Sequence, residues 1–141
     1  MWIGSWHNKK SKPLGIAWPD KPLRVLGVYI SYDDEYCNKL NFQEKIAKCK
    51  NVINAWKCRR LTMIGKIQII KTFIVSQFLY VSSAIVMPDK YVNIVNKLIF
   101  SFIWSGKKSK LSRATLYSSK EYGGLDAPNL QNMINVSYIK W

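Results

Sequence analysis

Two adjacent aspartates, Asp33 and Asp34, follow a run of β-forming residues and are the carboxylates of this sequence best suited to chemistry. Such a pair can hold divalent cations for phosphoryl transfer, because these cations prefer oxygen ligands and substrate phosphates complete their coordination. In one known form of this arrangement, with adjacent aspartates on a hairpin, an aromatic residue lies two positions before the first aspartate, where this sequence has Ser31. The one aspartate upstream, Asp20, lies between prolines. We therefore interpret Asp33 and Asp34 as residues of a turn or helix start.

Other residue types that could support catalysis or metal binding are sparse. The single histidine, His7, offers no base around which a serine or cysteine triad could be assembled. Gly123-Gly124 lacks the lysine and the hydroxyl residue of a phosphate-binding loop. An odd number of cysteines without a C-x-x-C pattern argues against zinc and favours reduced thiols in core or helix-face positions, namely Cys37, Cys49 and Cys58. We expect no metal or cofactor in this chain, and an intracellular protein of the nucleus or cytoplasm, because its N-terminus lacks an apolar signal-peptide core.

Positive charge dominates the chain and is unevenly distributed. Twenty-two lysines and arginines face eight acidic residues, which gives a formal net charge of +14. Residues 45–71 contain eight basic residues and no acidic one, and residues 90–120 again contain no acidic residue. A solvated surface normally mixes both signs. The segregation therefore favours a polyanionic partner, with nucleic acid ahead of an anionic membrane.

The N-terminal part of the chain predicts a small β portion. Residues 1–22 carry Pro13, Pro19 and Pro22, which indicate short extended pieces joined by turns. The run from Leu23 to Ile30 is rich in Val, Ile and Tyr and predicts a strand.

From Asn41 onward the apolar period becomes helical. Asn41 and Glu44 resemble a helix-start signal. The apolar face of this first helix recurs at steps of four and three: Phe42, Ile46, Cys49, Ile53 and Trp56.

Three more helices follow in the predicted order. Thr62 is the expected N-cap of a helix that runs to about Val81, and Met87-Pro88-Asp89 starts the next one. The core stripe expected on that helix comprises Tyr91, Ile94, Val95, Leu98 and Phe102. Gly106 and the basic residues after it indicate an exposed loop, Gly123-Gly124 and Pro128 indicate a turn, and a final helix is expected from about Leu130. The predicted fold is mainly α with a small N-terminal β portion.

The segment 67–87 raises a membrane alternative. It contains a single charge, Lys71, and is long enough to span a bilayer. A lysine inside the span and several Gln and Ser residues weaken this interpretation, because such groups are costly in hydrocarbon. We favour a buried core helix and no membrane partner, with a small membrane-associated protein as the alternative.

The order of these signals resembles the region downstream of the polymerase active site in reverse transcriptases of non-LTR (LINE-type) retrotransposons. The resemblance extends from about Trp2 to Trp141, and its strength lies in the order and separation of motifs that are weak singly. The motifs are Leu26-Gly27-Val28, Trp56, Arg60-Leu61-Thr62-x-x-Gly65-Lys66-x-x-Ile69-Ile70-Lys71, Ser76-Gln77-x-x-Tyr80, Pro88, Ile99-Phe100-x-Phe102-Ile103-Trp104 and Gly123-Gly124-Leu125-x-x-Pro128. Thr72 and Asn129 are mild departures, where serine and aspartate are more usual.

This resemblance implies a fragment of a right-hand polymerase. Residues 1–36 would be a remnant of the palm β region, residues 37–105 a helical thumb-like region, and residues 106–141 a basic loop and the start of the connection. The catalytic aspartates of the family would precede Met1, so we expect no polymerase activity from this chain alone. The parent would be an RNA-directed DNA polymerase that uses magnesium, and its palm and fingers would be missing partners. A non-functional transposon remnant is a further alternative.

A thumb-like region implies sequence-independent binding of the RNA–DNA primer–template backbone. Leu26 and Gly27 would belong to a hairpin near the primer terminus. Trp56 and Trp104 are interpreted as core residues more readily than as base-stacking residues, and Lys71 is either paired internally or a phosphate contact. The candidate backbone contacts are Lys57, Arg59, Arg60 and Lys66 in one patch, and Lys107, Lys108, Lys110 and Arg113 in a second.

Overall fold

The computed structural model describes residues 21–31 and 33–139. It is mainly α-helical with one small antiparallel sheet at its N-terminal side, which confirms the predicted fold class. The expectations for residues 1–20, including Pro13, Pro19, His7 and Asp20, lie outside the described residues.

The sheet is a tight two-stranded hairpin. Strand β1 (Leu23–Val25) pairs antiparallel with β2 (Val28–Ile30), and Leu23 lies opposite Ile30. Leu26 and Gly27 form the turn with φ angles of 48° and 84°. Two successive positive φ angles are typical of the two-residue turns that match strand twist. The prediction of one strand over Leu23–Ile30 was therefore wrong, because the chain reverses at its centre.

The first helical segment begins seven residues before the predicted start. It comprises α1 (Asp34–Asn38), a π-helical turn (Lys39–Gln43) and α2 (Glu44–Lys57). Asp33 is the N-cap, because its Oδ1 accepts hydrogen bonds from the N–H groups of Glu35 at 2.9 Å and Tyr36 at 3.2 Å. The interpretation of the aspartate pair as a helix start is confirmed. Asn41 lies inside the π-helical turn, so its assignment as a start signal was wrong.

Asn41 instead joins the helix to the hairpin. Its Oδ1 accepts from the Tyr29 N–H at 2.9 Å, and its Nδ2 donates to the Tyr29 carbonyl at 2.7 Å and to the Cys37 carbonyl at 3.0 Å. The side chain is 2% exposed. A buried amide that satisfies both polar groups of one strand residue fixes the position of β2 on the helix.

The second helical segment comprises α3 (Met63–Ile69), a π-helical turn (Ile70–Val75) and α4 (Ser76–Ser82). Thr62 caps it as predicted, since its Oγ1 accepts from the Gly65 N–H at 3.2 Å. By length and composition, Met63–Ser82 is apolar enough to cross a membrane, with a mean hydropathy of 1.2. One face of this segment lies in the protein core, and a core helix passes the same test. Its buried residues include Ile67, Ile70, Ile74, Phe78 and Val81.

Helix α5 (Asp89–Ile103) starts at the predicted proline and contacts α2, α3 and α7. Its core stripe differs in part from the prediction. Ile94 is 41% exposed, whereas Val92 and Ile99 are buried. The difference arises because α5 has neighbours on several sides, so its buried face is broader than one line of residues.

The C-terminal part consists of α6 (Arg113–Tyr117), a 3-10 turn (Lys120–Tyr122) and α7 (Leu130–Ile139). The predicted glycine turn is confirmed. A Cβ at Gly124 would collide with the Ser118 carbonyl oxygen, so the close approach of these two backbones requires glycine. Helix α7 begins at the predicted Leu130 and packs on α4 and α5. One hydrophobic cluster joins the helices, with Phe42, Phe78, Phe102, Leu116 and Leu130 among its fully buried members.

Candidate nucleic-acid interface

The first predicted basic patch lines a cleft of about 530 Å³ between the end of α2 and the end of α5. All four of its predicted residues contribute to the lining: Lys57, Arg59, Arg60 and Lys66. Lys57, Arg59 and Arg60 are exposed. The structure therefore brings the first patch together as one surface.

A short connection between α2 and α3 positions these side chains. The Arg59 N–H donates to the Trp56 carbonyl at 3.2 Å, and the Leu61 N–H donates to the Arg59 carbonyl at 2.9 Å. Basic residues at the end of α2 are favourable, because the C-terminal end of a helix carries partial negative charge. The result is a rigid turn with three exposed cations.

The Trp56 indole packs against the guanidinium of Arg59. The Arg59 guanidinium lies 4.5 Å from the centre of the indole ring, and the indole packs against Phe73 at a centroid distance of 6.3 Å. The indole is partly buried against the hydrophobic core. A cation held over an indole face keeps its outer N–H groups free for an anion. Trp104 is 8% exposed, which confirms its assignment to the core.

Lys66 differs from the other members of this patch. Its ammonium donates to the Ile103 carbonyl at 3.0 Å and to the Ser105 hydroxyl at 2.6 Å. The first acceptor is the last residue of α5 and the second lies two residues beyond it, and they are 37 and 39 residues from Lys66 in the sequence. Sequence reasoning offered no signal for this contact.

The second predicted patch occupies the loop between α5 and α6. A cleft of about 360 Å³ is lined there by Lys107 and Arg113, together with Lys97. The Arg113 guanidinium lies 5.0 Å from the Phe100 ring centre. Lys108 and Lys110 are exposed in the same loop but do not line the cleft.

Lys97 is a basic residue that the sequence reasoning missed. It lies on the exposed face of α5, four residues after Asn93 and four before Ser101, and both of these are exposed as well. That spacing marks one helix face opposite the buried stripe, and it was the available signal.

The two clefts are neighbours and share one sign of charge. Ser101 and Gly106 line both of them, and every charged lining residue is basic. Three of the seven acidic residues in the described part pair with lysines outside these clefts: Glu44 with Lys48 at 2.7 Å, Asp126 with Lys71 at 2.5 Å, and Glu35 with Lys90 at 3.5 Å. Of the two roles left open for Lys71, the structure shows a pair within the chain, with Asp126. Clefts lined by one sign of charge concentrate counter-ions of the other sign.

Two of these ion pairs also lower the pKa values of their acidic residues. The hydrogen bond and positive charge of Lys71 hold the pKa of Asp126 below its ordinary value. The hydrogen bond and charge of Lys48 lower the pKa of Glu44 in the same way.

Burial raises the pKa of the Cys49 thiol to about 11, as expected for a core cysteine. Cys37 is also buried, whereas Cys58 is exposed between Lys57 and Arg59. Over residues 21–31 and 33–139, no group of three or more His, Cys, Asp or Glu side chains is arranged to hold a metal ion.

The predicted hairpin residues lie apart from the basic clefts. Leu26 is 84% exposed at the tip of the turn, and its carbonyl accepts from the Tyr80 hydroxyl at 2.5 Å. Leu26 lines a separate, largely apolar cleft of about 500 Å³ between the hairpin and the end of α4.

Comparison with known proteins finds a distant relative, and no family model matches the chain. The chain is 28% identical over 94 residues to the "Transposon TX1 uncharacterized 149 kDa protein" of Xenopus laevis. The match covers 65% of this chain and 7% of the relative. The chain therefore spans a small part of that protein. The similarity is weak, and it relates the chain to a protein named for a transposon, not to a named reverse transcriptase.

Proposed function

We propose that this chain binds the backbone of an RNA–DNA primer–template as a thumb-like part of a retrotransposon reverse transcriptase. The observation that carries the proposal is the pair of neighbouring clefts at the end of α5. Four basic residues line the first cleft and three line the second, and no acidic residue lines either.

The chemistry of the clefts suits a phosphate backbone. Nucleic-acid duplexes present closely spaced negative charges, and lysines and arginines that neutralise them release condensed counter-ions. Contacts to phosphates position a protein on the duplex but carry no sequence information directly. Arg59 and Arg113 lie over aromatic rings, which restricts their guanidinium groups to few orientations. Such preorganised groups lose less freedom when they bind a phosphate.

The parent enzyme is proposed on two grounds. The motif order resembles the region beyond the active site of non-LTR reverse transcriptases, and the chain is similar to a transposon-encoded protein. In this proposal the magnesium ligands belong to a palm outside this sequence, and the palm and fingers are the protein partners. The chain alone then has no RNA-directed DNA polymerase activity, and its site of action is the nucleus or cytoplasm.

Alanine variants of the first cleft test the proposal. We expect the double variant Arg59→Ala/Arg60→Ala to weaken binding to a fluorescent RNA–DNA hybrid and to reduce the dependence of log K on log salt concentration by up to about 2, since each phosphate contact contributes ~0.9. The matched control is Lys48→Ala/Lys90→Ala, which also removes two positive charges but from residues paired with carboxylates. Equal losses in both double variants would contradict a specific role of the clefts.

A membrane-associated protein is the second candidate, favoured by the length and hydropathy of Met63–Ser82. It predicts that the chain sediments with membranes and needs detergent for extraction. A folded, soluble chain that ignores the hybrid at low salt would instead identify a remnant without function.

A further inference from the structure

We propose that Lys66 is a positioning residue that directs the basic loop after α5, and that it is not itself a phosphate contact. This inference rests on the proposed function for its binding consequences, and on the geometry of the loop for its structural ones. The loop carries Lys107, Lys108 and Lys110, and it leads to Arg113.

The positive charge of Lys66 lies at the C-terminal end of α5. Its ammonium lies 3.0 Å from the Ile103 carbonyl, which is the last residue of α5, and 5.8 Å from the centre of the Phe102 ring. Carbonyl groups at a helix C-terminus lack partners within the helix, and a cation there is favourable. The Lys66 ammonium therefore gives the last carbonyl of α5 a hydrogen-bond donor and places a favourable positive charge at that helix end.

The second acceptor stands where the loop changes direction. Ser105 has a φ of 51°, and Gly106 follows with a φ of 76°. The left-handed conformation is ordinary for glycine but unfavourable for serine. The 2.6 Å hydrogen bond from Lys66 therefore holds Ser105, the residue of this turn whose left-handed backbone conformation is unfavourable.

Backbone hydrogen bonds complete the exit of the loop. The Gly106 N–H donates to the Ser101 carbonyl at 2.9 Å, and the Lys107 N–H donates to the Trp104 carbonyl at 3.0 Å. The first of these closes the helix end in the manner of a Schellman motif. Because Ser101 and Gly106 line both clefts, the position of this turn sets how the second basic patch lies against the first.

The donors of Lys66 are largely committed to this role. An ammonium group has three donors, and two of them already bond to protein oxygens in the same turn. Arg59 and Arg60, on the same cleft, are exposed and free to approach a duplex. The residues of the first cleft therefore have two roles. The arginines contact phosphate, and Lys66 holds the loop that carries the second set of phosphate contacts.

Amide hydrogen exchange tests the structural part without any ligand. In Lys66→Met we expect the Gly106 and Lys107 amides to exchange at least about tenfold faster. The two lysine hydrogen bonds that resist local opening of the turn in the wild type are then absent, so opening costs less free energy. Ser105→Ala removes one acceptor without changing the charge and should accelerate the same amides. The matched control is Lys71→Met on the same helical segment, whose partner is Asp126 and which should leave these amides unchanged. Unchanged exchange in both Lys66→Met and Ser105→Ala would overturn the inference.

Salt-dependent binding to the RNA–DNA hybrid tests the functional part. A positioning role predicts that Lys66→Met lowers the salt dependence as much as the triple variant Lys107→Ala/Lys108→Ala/Lys110→Ala does, and that combining them has no further effect. A direct phosphate contact predicts a drop of only ~0.9 that adds to that of the triple variant, which would overturn the inference. If the wild-type chain fails to bind the hybrid, the proposed function fails, and the exchange result still decides the role of Lys66. Ser105→Ala keeps the test valid should Lys66→Met not fold.

Discussion

Asn41 and Ser82 are the buried polar side chains of the described part of the chain, and Asn41 carries a structural task at the scale of one residue. Its amide bonds to both backbone polar groups of Tyr29 and to the Cys37 carbonyl. Buried polar groups are expensive when they lose their partners, because water cannot replace the lost hydrogen bond. Asn41 therefore holds the hairpin on the helix, together with the Cys37 thiol, which donates to the Tyr29 carbonyl at 2.9 Å.

Asn41→Ala should lower the free energy of unfolding by about 2 kcal/mol, since it leaves the Tyr29 N–H with no side-chain partner and the Tyr29 carbonyl with only the Cys37 thiol as a side-chain donor. Chemical denaturation followed by circular dichroism measures the change. Asn135→Ala on the exposed face of α7 is the matched control and should change stability little, because its bond to Gln131 is exposed. Equal stability of wild type and Asn41→Ala would show that the hairpin is held by other contacts.

At the scale of elements, the signals that predicted structure correctly were local ones. Thr62 and Pro88 mark helix starts through bonds or backbone angles within one turn, so the sequence around them was sufficient. The apolar pattern predicted one strand in place of the hairpin that the resemblance implied, because Leu26 adopts a positive φ that its residue type does not indicate. Asn41 was misread because its partner lies twelve residues away in the sequence. Its contact exists only once the hairpin has folded onto the helix.

The same distinction separates the predicted from the unpredicted parts of the candidate site. Acid-free runs were enough to find both basic patches, because charge is a property of composition. Their placement on neighbouring clefts was not predictable, since it depends on how α2, α3 and α5 pack. The contact of Lys66 with the end of α5 was unpredictable for the same reason.

The ion pair between Lys71 and Asp126 joins the second helical segment to the connection before α7, and it predicts a pH dependence. The pKa of Asp126 is lowered in the folded protein from an ordinary value of 3.8, so the pair contributes stability above that pH and loses it as the pH falls through the lowered pKa. Asp126→Asn should therefore destabilise the protein at neutral pH and much less at pH values below the folded pKa. Denaturation midpoints measured across this range test the claim, and a constant difference at all pH values would contradict it.

At the scale of the whole molecule, positive charge is concentrated where the ends of three helices meet. The acidic residues that form ion pairs do so with lysines outside the two clefts. The positive charge of the clefts is therefore not neutralised by a lining carboxylate. Solvent exposure of Lys57, Arg59, Arg60, Lys97 and Lys107 makes the charge available to a large partner. This arrangement favours a long polyanion over a small anionic ligand, because the cations extend over both clefts.

Cys58 provides an independent reporter of the bound surface, because it is the exposed cysteine and lies between Lys57 and Arg59. A thiol reagent should modify it rapidly in the folded protein, whereas Cys37 and Cys49 should react only on unfolding. Addition of an RNA–DNA hybrid should slow the modification of Cys58, and uncharged glucose polymer at equal mass should not. Modification that is equally fast with and without the hybrid would contradict binding at the first cleft.

The most direct test of the account is the affinity of the wild-type chain for two RNA–DNA hybrids of unrelated sequence, measured at low and at moderate salt. Backbone binding through at least about four phosphate contacts predicts similar affinities for both hybrids and a fall of at least about a hundredfold between about 50 and 200 mM salt. A strong preference for one hybrid, or an affinity that salt does not change, would contradict the central claim that these clefts hold a nucleic-acid backbone.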